Sequence, residues 1–174
     1  DMVNLVNYLT DSKTKFSTGA VFDLSGGRAT YWTNMMSKLS SQFKYFGIWP
    51  VAPTPFKDNG EVDYEGMLRV IDCIVDQKVD GVCILANFSE QFLLSDEERY
   101  KLTNLCLERI NGKIKTIVTI SHFSTNIVVE RAKLAKSLGA NIVMMMPPYH
   151  GALLKGNQDQ TYTQFTAVNN VGIP

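Results

Sequence analysis

Residues Gly81 to Ile120 read GVCILANFSEQFLLSDEERYKLTNLCLERINGKIKTIVTI. GVCILA, 81–86, is an unbroken apolar run of strand length, the pattern of a strand buried on both faces. Ser95-Asp96-Glu97-Glu98 is a capping box, in which a hydroxyl takes the third backbone amide and a Glu carboxylate reaches back to the first. It opens the helix DEERYKLTNLCLERI, 96–110, and TIVTI, 116–120, is a second buried strand. Two such strands on either side of one helix run parallel and are joined by a right-handed crossover.

The same unit recurs in both directions. Upstream, FGIWPVAPTPF (46–56) is an apolar run punctuated by prolines, a short strand leading into a loop. KDNGEVD (57–63) is a turn, and Asp63 is placed to cap the helix YEGMLRVIDCIVDQ, 64–77, with apolar residues at 67, 68, 71, 74 and 75. Downstream, Thr125 to Leu138 reads as a helix with Ser124 or Thr125 as its cap and Gly139 as its terminator. NIVMMM (141–146) is a fourth strand, its methionines expected in the core, and a weaker helix spans 160–169. Four strand–helix units make an α/β chain, either an open doubly wound sheet or a (β/α)8 barrel. No glycine-rich phosphate loop follows the first strand, which puts the barrel ahead.

The first residues behave differently. DMVNLVNYLTD (1–11) carries a helical stripe, and AVFDLSGG (20–27) reads as a strand, with a Ser-, Thr- and Asn-rich stretch after Arg28. One helix and one strand cannot bury enough apolar surface to fold alone, so this segment is expected to be a remnant of something larger. The expected partition is 1–29 remnant, 30–44 linker, and 45–174 the N-terminal half of a barrel.

Composition narrows the function. Lys and Arg number 17 against 17 Asp and Glu, with no basic run, so nucleic acid and anionic membrane are not expected partners. No apolar stretch approaches the roughly 20 residues of a membrane helix, and no secretory leader is visible, so a cytoplasmic location is expected. Three scattered cysteines (Cys73, Cys83, Cys106) suit buried reduced thiols better than disulfides or a zinc cluster.

In either α/β fold the site lies beyond the carboxyl ends of the strands. Strand two runs out into Ala86-Asn87-Phe88-Ser89-Glu90, strand three into Ser121-His122-Phe123-Ser124, and strand four into Met146-Pro147-Pro148-Tyr149-His150. Both histidines of the chain therefore fall at strand ends on one face, beside a hydroxyl-rich loop and a Glu. A zinc site from Glu90, His122 and His150 lacks paired-ligand spacing, so no metal is expected.

Several motifs in order carry a resemblance: Pro53-Thr54-Pro55-Phe56, the acidic turn Asp58 to Asp63, Leu94 to Arg99 (LSDEER), SLGA at 137–140 and PPY at 147–149. With these the chain resembles the dihydrodipicolinate synthase and N-acetylneuraminate lyase superfamily over about 45–174. Most members carry Gly-Thr-Thr-Gly-Glu where this chain has Ala86 to Glu90, and many carry Tyr-Tyr where it has Tyr149-His150. CILANFSEQF, SHFST and MPPYHGA instead resemble the L-2-keto-3-deoxyarabonate dehydratase branch.

The resemblance implies a (β/α)8 lyase that needs no cofactor and acts on a small-molecule 2-keto acid. A lysine amine forms a Schiff base with the ketone, the iminium acts as electron sink, and a hydroxyl leaves as water. It also implies a homo-oligomer when full length. In the family that lysine lies on strand six, beyond Pro174, so the chain is expected to be an inactive fragment. The loop after strand two is implied to hold the substrate carboxylate, with N–H groups from Phe88 and Ser89 and a side-chain donor from Ser89 or Asn87. Glu90 and His122 are implied to bind substrate, and Tyr149 and His150 to be catalytic, orienting hydroxyls or moving protons.

Residues 2–28, with FSTGAVFDLSGG, resemble the carboxyl-terminal end of a short-chain dehydrogenase, a Rossmann-type domain. A junction of two genes is then expected near Trp32, with Met35 or Met36 as a natural start. Three rival functions remain open on the sequence: an aldolase or synthase of the same superfamily, a non-catalytic half-barrel module, and an oxidoreductase based on the first 30 or so residues.

Overall fold

The computed structural model describes residues 45–147 and 157–174. The chain divides between Phe46 and Gly47, and every element with a described range lies in Gly47–Pro174. The expected dehydrogenase-like segment and linker, and Tyr149 and His150, lie outside the described residues.

The elements, in order, are α1 (Tyr64–Asp76), β1 (Gly81–Ile84), α2 (Asp96–Ile110), β2 (Lys115–Thr119), α3 (Thr125–Ser137), β3 (Ile142–Met144) and α4 (Gln158–Asn169). β1, β2 and β3 form a parallel sheet in that order, with Val82 opposite Thr116 and Val118 opposite Val143.

The expected first strand pairs with β1 without becoming a regular strand. Gly81 N–H donates to Ile48 C=O (3.4 Å), Cys83 N–H to Pro50 C=O (2.9 Å), and Ala52 N–H to Cys83 C=O (2.9 Å). Pro50 has no N–H to return, so regular pairing shrinks to the single Val51–Cys83 bridge. At the other side, Val143 N–H donates to Pro174 C=O (2.7 Å), which puts the last residues alongside β3. Five segments thus lie side by side in chain order. A doubly wound sheet reverses its order at a switch point, and a barrel does not, so this order is that of barrel winding.

The caps follow the sequence closely. Asp63 Oδ1 accepts from Gly66 N–H (2.9 Å) at the start of α1. Ser95 and Glu98 close the capping box of α2, through Glu98 N–H to Ser95 Oγ (3.2 Å) and Ser95 N–H to Glu98 Oε2 (2.8 Å). α3 ends in a Schellman motif, Ala140 N–H to Ala135 C=O and Gly139 N–H to Lys136 C=O, with Gly139 at φ +85°.

The core lies between the helices and the sheet. Met67 and Ile71 of α1, Leu102, Cys106 and Ile110 of α2, and Val128 and Ala132 of α3 are buried against Val82, Ile84, Val118 and Ile120. Each large aliphatic side chain here contributes about 1.5–3 kcal/mol by leaving water. Gly81 is needed for close approach, because a Cβ there would run into the Trp49 indole.

Two expectations are corrected. Cys83 and Cys106 are buried free thiols, but Cys73 is exposed, because it lies off the inward stripe formed by Met67, Ile71 and Ile74. The Met144-Met145-Met146 run is half-buried, since β3 is the outermost strand of the described sheet.

Candidate functional site

The loop after β1 is built on a short 3-10 turn, Asn87–Ser89, bracketed by two left-handed residues, Leu85 (φ +58°) and Glu90 (φ +57°). A bulky Leu in that region carries roughly 1–2 kcal/mol of strain. It is held because Leu85 is itself buried. Strain of this kind gathers at functional loops.

Ser89 anchors the turn. It is 1% exposed; its Oγ donates to Ala52 C=O (2.6 Å) and accepts from Ala86 N–H (3.2 Å), while its own C=O accepts from Thr54 Oγ1 (2.8 Å). Its N–H closes the turn on Ala86 C=O (3.0 Å). The loop after β1 is thereby fastened to the end of the first strand. Phe88, next to it, is 72% exposed, and its N–H has no acceptor among the described residues.

The other strand ends meet this loop. Gln91 Nε2 donates to Asn87 Oδ1 (2.7 Å), and Asn87 Nδ2 reaches Met146 Sδ (3.9 Å) past the end of β3. Ser121 Oγ accepts from Met146 N–H (2.9 Å), and the Phe92 and Phe123 rings stack at 6.3 Å. Below the loop, Arg99 donates from Nη1 to Gln91 C=O (2.9 Å) and from Nη2 to Thr119 C=O (2.8 Å).

His122 is half-buried, and its Nδ1 accepts from Ser124 N–H (2.9 Å). An Nδ1 that accepts belongs to the neutral ring, with the proton on Nε2. The imidazole pKa is correspondingly held below its ordinary value, first by burial and then by the Arg131 charge, with Asp96 opposing and Arg99 adding. Ser124 is the N-cap of α3, as expected, but its side chain makes no capping bond.

The structure thus brings Asn87, Phe88 and the His122 loop to the strand ends on one face. It turns Ser89 inward, where its hydroxyl and its N–H are both taken, so Phe88 N–H is the open donor of the pair. Glu90 is exposed, and its carboxylate has no hydrogen-bond partner among the described residues. His150, the third corner of a Glu90–His122–His150 set, lies outside the described residues. Among those that are described, no three His, Cys, Asp or Glu side chains stand close enough to hold a metal ion.

Sequence reading missed the residues that hold the loops: Gln91, Arg99, Ser121, Arg131 and Gln164. Arg131 Nη1 donates to Ser121 C=O (2.8 Å), and Gln164 Nε2 donates to His122 C=O (3.1 Å) from α4. One signal was available. Arg99 falls on the same helical stripe as Leu102, Cys106 and Ile110, and a charge on a buried stripe is rare unless something inside needs it.

Known proteins place this arrangement. The dihydrodipicolinate synthetase family pattern matches residues 44–173. The chain is 45% identical over 136 residues to an L-2-keto-3-deoxyarabonate dehydratase from Azospirillum brasilense, covering 78% of this chain and 44% of that protein. It is 32% identical over 123 residues to a 4-hydroxy-tetrahydrodipicolinate synthase from Protochlamydia amoebophila, covering 71% and 40%.

Among solved structures it superimposes on dihydrodipicolinate synthase from Aquifex aeolicus with a TM-score of 0.70 at 30% identity, covering 75% of this chain and 43% of that one. N-acetylneuraminate lyase from Mycoplasma synoviae gives a TM-score of 0.70 at 28% identity, covering 75% and 45%. The chain spans less than half the length of these relatives. Over residues 44–173, with its strands wound in barrel order and its loops gathered at their carboxyl ends, the chain belongs to the dihydrodipicolinate synthetase family.

Proposed function

We propose that this chain supplies the carboxylate-binding part of the site of a Schiff-base-forming lyase that dehydrates a 2-keto-3-deoxy sugar acid, of the L-2-keto-3-deoxyarabonate kind. The observation that carries the reading is the 45% identity to the Azospirillum brasilense dehydratase, against 32% to the Protochlamydia amoebophila synthase. The loop supports it: Asn87, Phe88 and Ser89 stand where a synthase-type Thr-Thr-Gly is expected, and the N–H of exposed Phe88 is left open on a pinned turn.

In this reading the keto-acid carboxylate sits on Phe88 N–H and the Asn87 amide, whose orientation Gln91 sets. Neutral His122, Tyr149 and His150 orient the sugar-acid hydroxyls or pass the proton that leaves with water. The Schiff-base lysine is supplied from strand six of a longer chain, working in the cytoplasm as a homo-oligomer. Nothing in this chemistry calls for a cofactor.

The test is borohydride trapping with pyruvate and with 2-keto-3-deoxyarabonate, read by intact mass. The 174-residue chain should give no stoichiometric adduct, and a chain extended through strand six should give one with the deoxyarabonate. An adduct on the 174-residue chain would overturn the assignment of the lysine. A longer chain trapped by pyruvate but leaving the deoxyarabonate intact would favour an aldolase or synthase.

A further inference from the structure

The space between α2 and α3 lies behind β2, beneath the loops at the strand ends, and Leu85 reaches its edge. α1 packs on α2 and α3 on α4, while α2 and α3 stand farther apart. Between them is a cavity of about 470 Å³, floored by Val118 and Ile120 and flanked by Ile127 and Leu134 of α3. That volume falls within the roughly 300–1,000 Å³ of small-molecule sites. Arg99 and Arg131 also line it.

Arg99 is the feature that needs explaining. It is 5% exposed, the only charged residue among the buried described ones. Among the described residues its side chain has two hydrogen-bond partners, both carbonyl oxygens, those of Gln91 and Thr119. Asp96, the carboxylate whose charge acts on Arg99, is bonded instead to Arg131 (2.7 Å), with its own side chain 80% exposed. Burial and the Arg131 charge bring the Arg99 pKa down to about 10, so it stays charged at neutral pH.

A guanidinium has five N–H groups, and the described residues use two of these. A buried cation without a carboxylate partner is unusual, and a carboxylate is the geometric match for the unused fork. We propose that the cavity between α2 and α3 binds a monocarboxylate with a short hydrocarbon body, its carboxylate on Arg99 and its body against Val118, Ile127 and Leu134. Asp96 and Glu130 at the rim disfavour a dianion, and the aliphatic walls disfavour a small hydrated one.

The test is a titration of the intact chain with hexanoate, hexanol and inorganic phosphate. The readouts are the Arg99 Nε–H and Gln91 amide NMR signals, since the same guanidinium holds Gln91 C=O. Hexanoate should shift both saturably and bind about tenfold tighter than hexanol, the factor expected of one charge-assisted contact. Phosphate should produce no saturable shift. Leu134→Phe, which fills the cavity, should abolish the hexanoate shifts, and Ile127→Phe serves if the first variant does not fold. Equal binding of hexanoate and hexanol, binding of phosphate as tight as hexanoate, or hexanoate shifts unchanged in a folded filled variant would each overturn the proposal. The three-ligand comparison on the unaltered chain is decisive without any variant.

Discussion

Ser89 shows how one side chain sets a loop. A hydroxyl is a donor and an acceptor at once, and Ser89 uses both roles between Ala52 C=O and Ala86 N–H while remaining 1% exposed. Removing it leaves a buried carbonyl and a buried amide unpaired, a loss of about 1–3 kcal/mol. Ser89→Ala should therefore lower the unfolding free energy read from a urea titration by that amount, moving the midpoint down, and speed amide exchange at Ala86. A midpoint unchanged within error would show that water takes over the bonds. Nothing in the sequence marked Ser89 as inward-facing. The motif placed it among hydroxyl-rich loop residues, and only the 3-10 turn held between left-handed Leu85 and Glu90 decides that Ser89, and not Asn87, Phe88 or Glu90, points in.

At the element scale, α3 depends on a cap of unusual kind. Ser124 occupies the N-cap position, yet the nearby imidazole of His122 takes a backbone N–H through Nδ1. Protonation of His122 removes that acceptor. Its folded pKa lies below the ordinary 6.5, so its stabilisation is complete above that value and is lost as pH falls through the folded pKa. Stability should therefore be level above about pH 7 and decline below about 6.5. His122→Asn keeps an acceptor within reach of Ser124 N–H and should flatten that part of the decline in urea titrations taken across the range. Identical pH slopes for both chains would remove His122 as the cause. By contrast, the boundaries of α1 and α2 were legible, because Asp63 and the Ser95–Glu98 box act on amides within three residues of themselves.

At the scale of the whole described unit, the buried core runs from Ala52 to Val168. The unit Gly47–Pro174 therefore carries its own hydrophobic core, and the family match begins at residue 44. A chain beginning at Tyr45 should unfold in a single cooperative transition, with a midpoint within a few degrees of the 174-residue chain, the shift of about 1 kcal/mol or less. Loss of a cooperative transition on that truncation would show that the first 44 residues complete the fold.

The sequence by itself determined the α/β class, the parallel strands and most helix ends, because periodicity, caps and apolar runs act over a few residues. It also placed the candidate loops together at one edge, because in a parallel sheet every strand runs out at the same side. Tertiary structure alone decided the rest. Pro50 reduces a full strand to one bridge only because β1 asks for the N–H it lacks. Arg99 becomes a buried cation gripping Gln91 and Thr119 only because α2 lays that stripe across the end of β2. Both depend on partners far along the chain, at distances where local pattern carries no information about which group will be opposite.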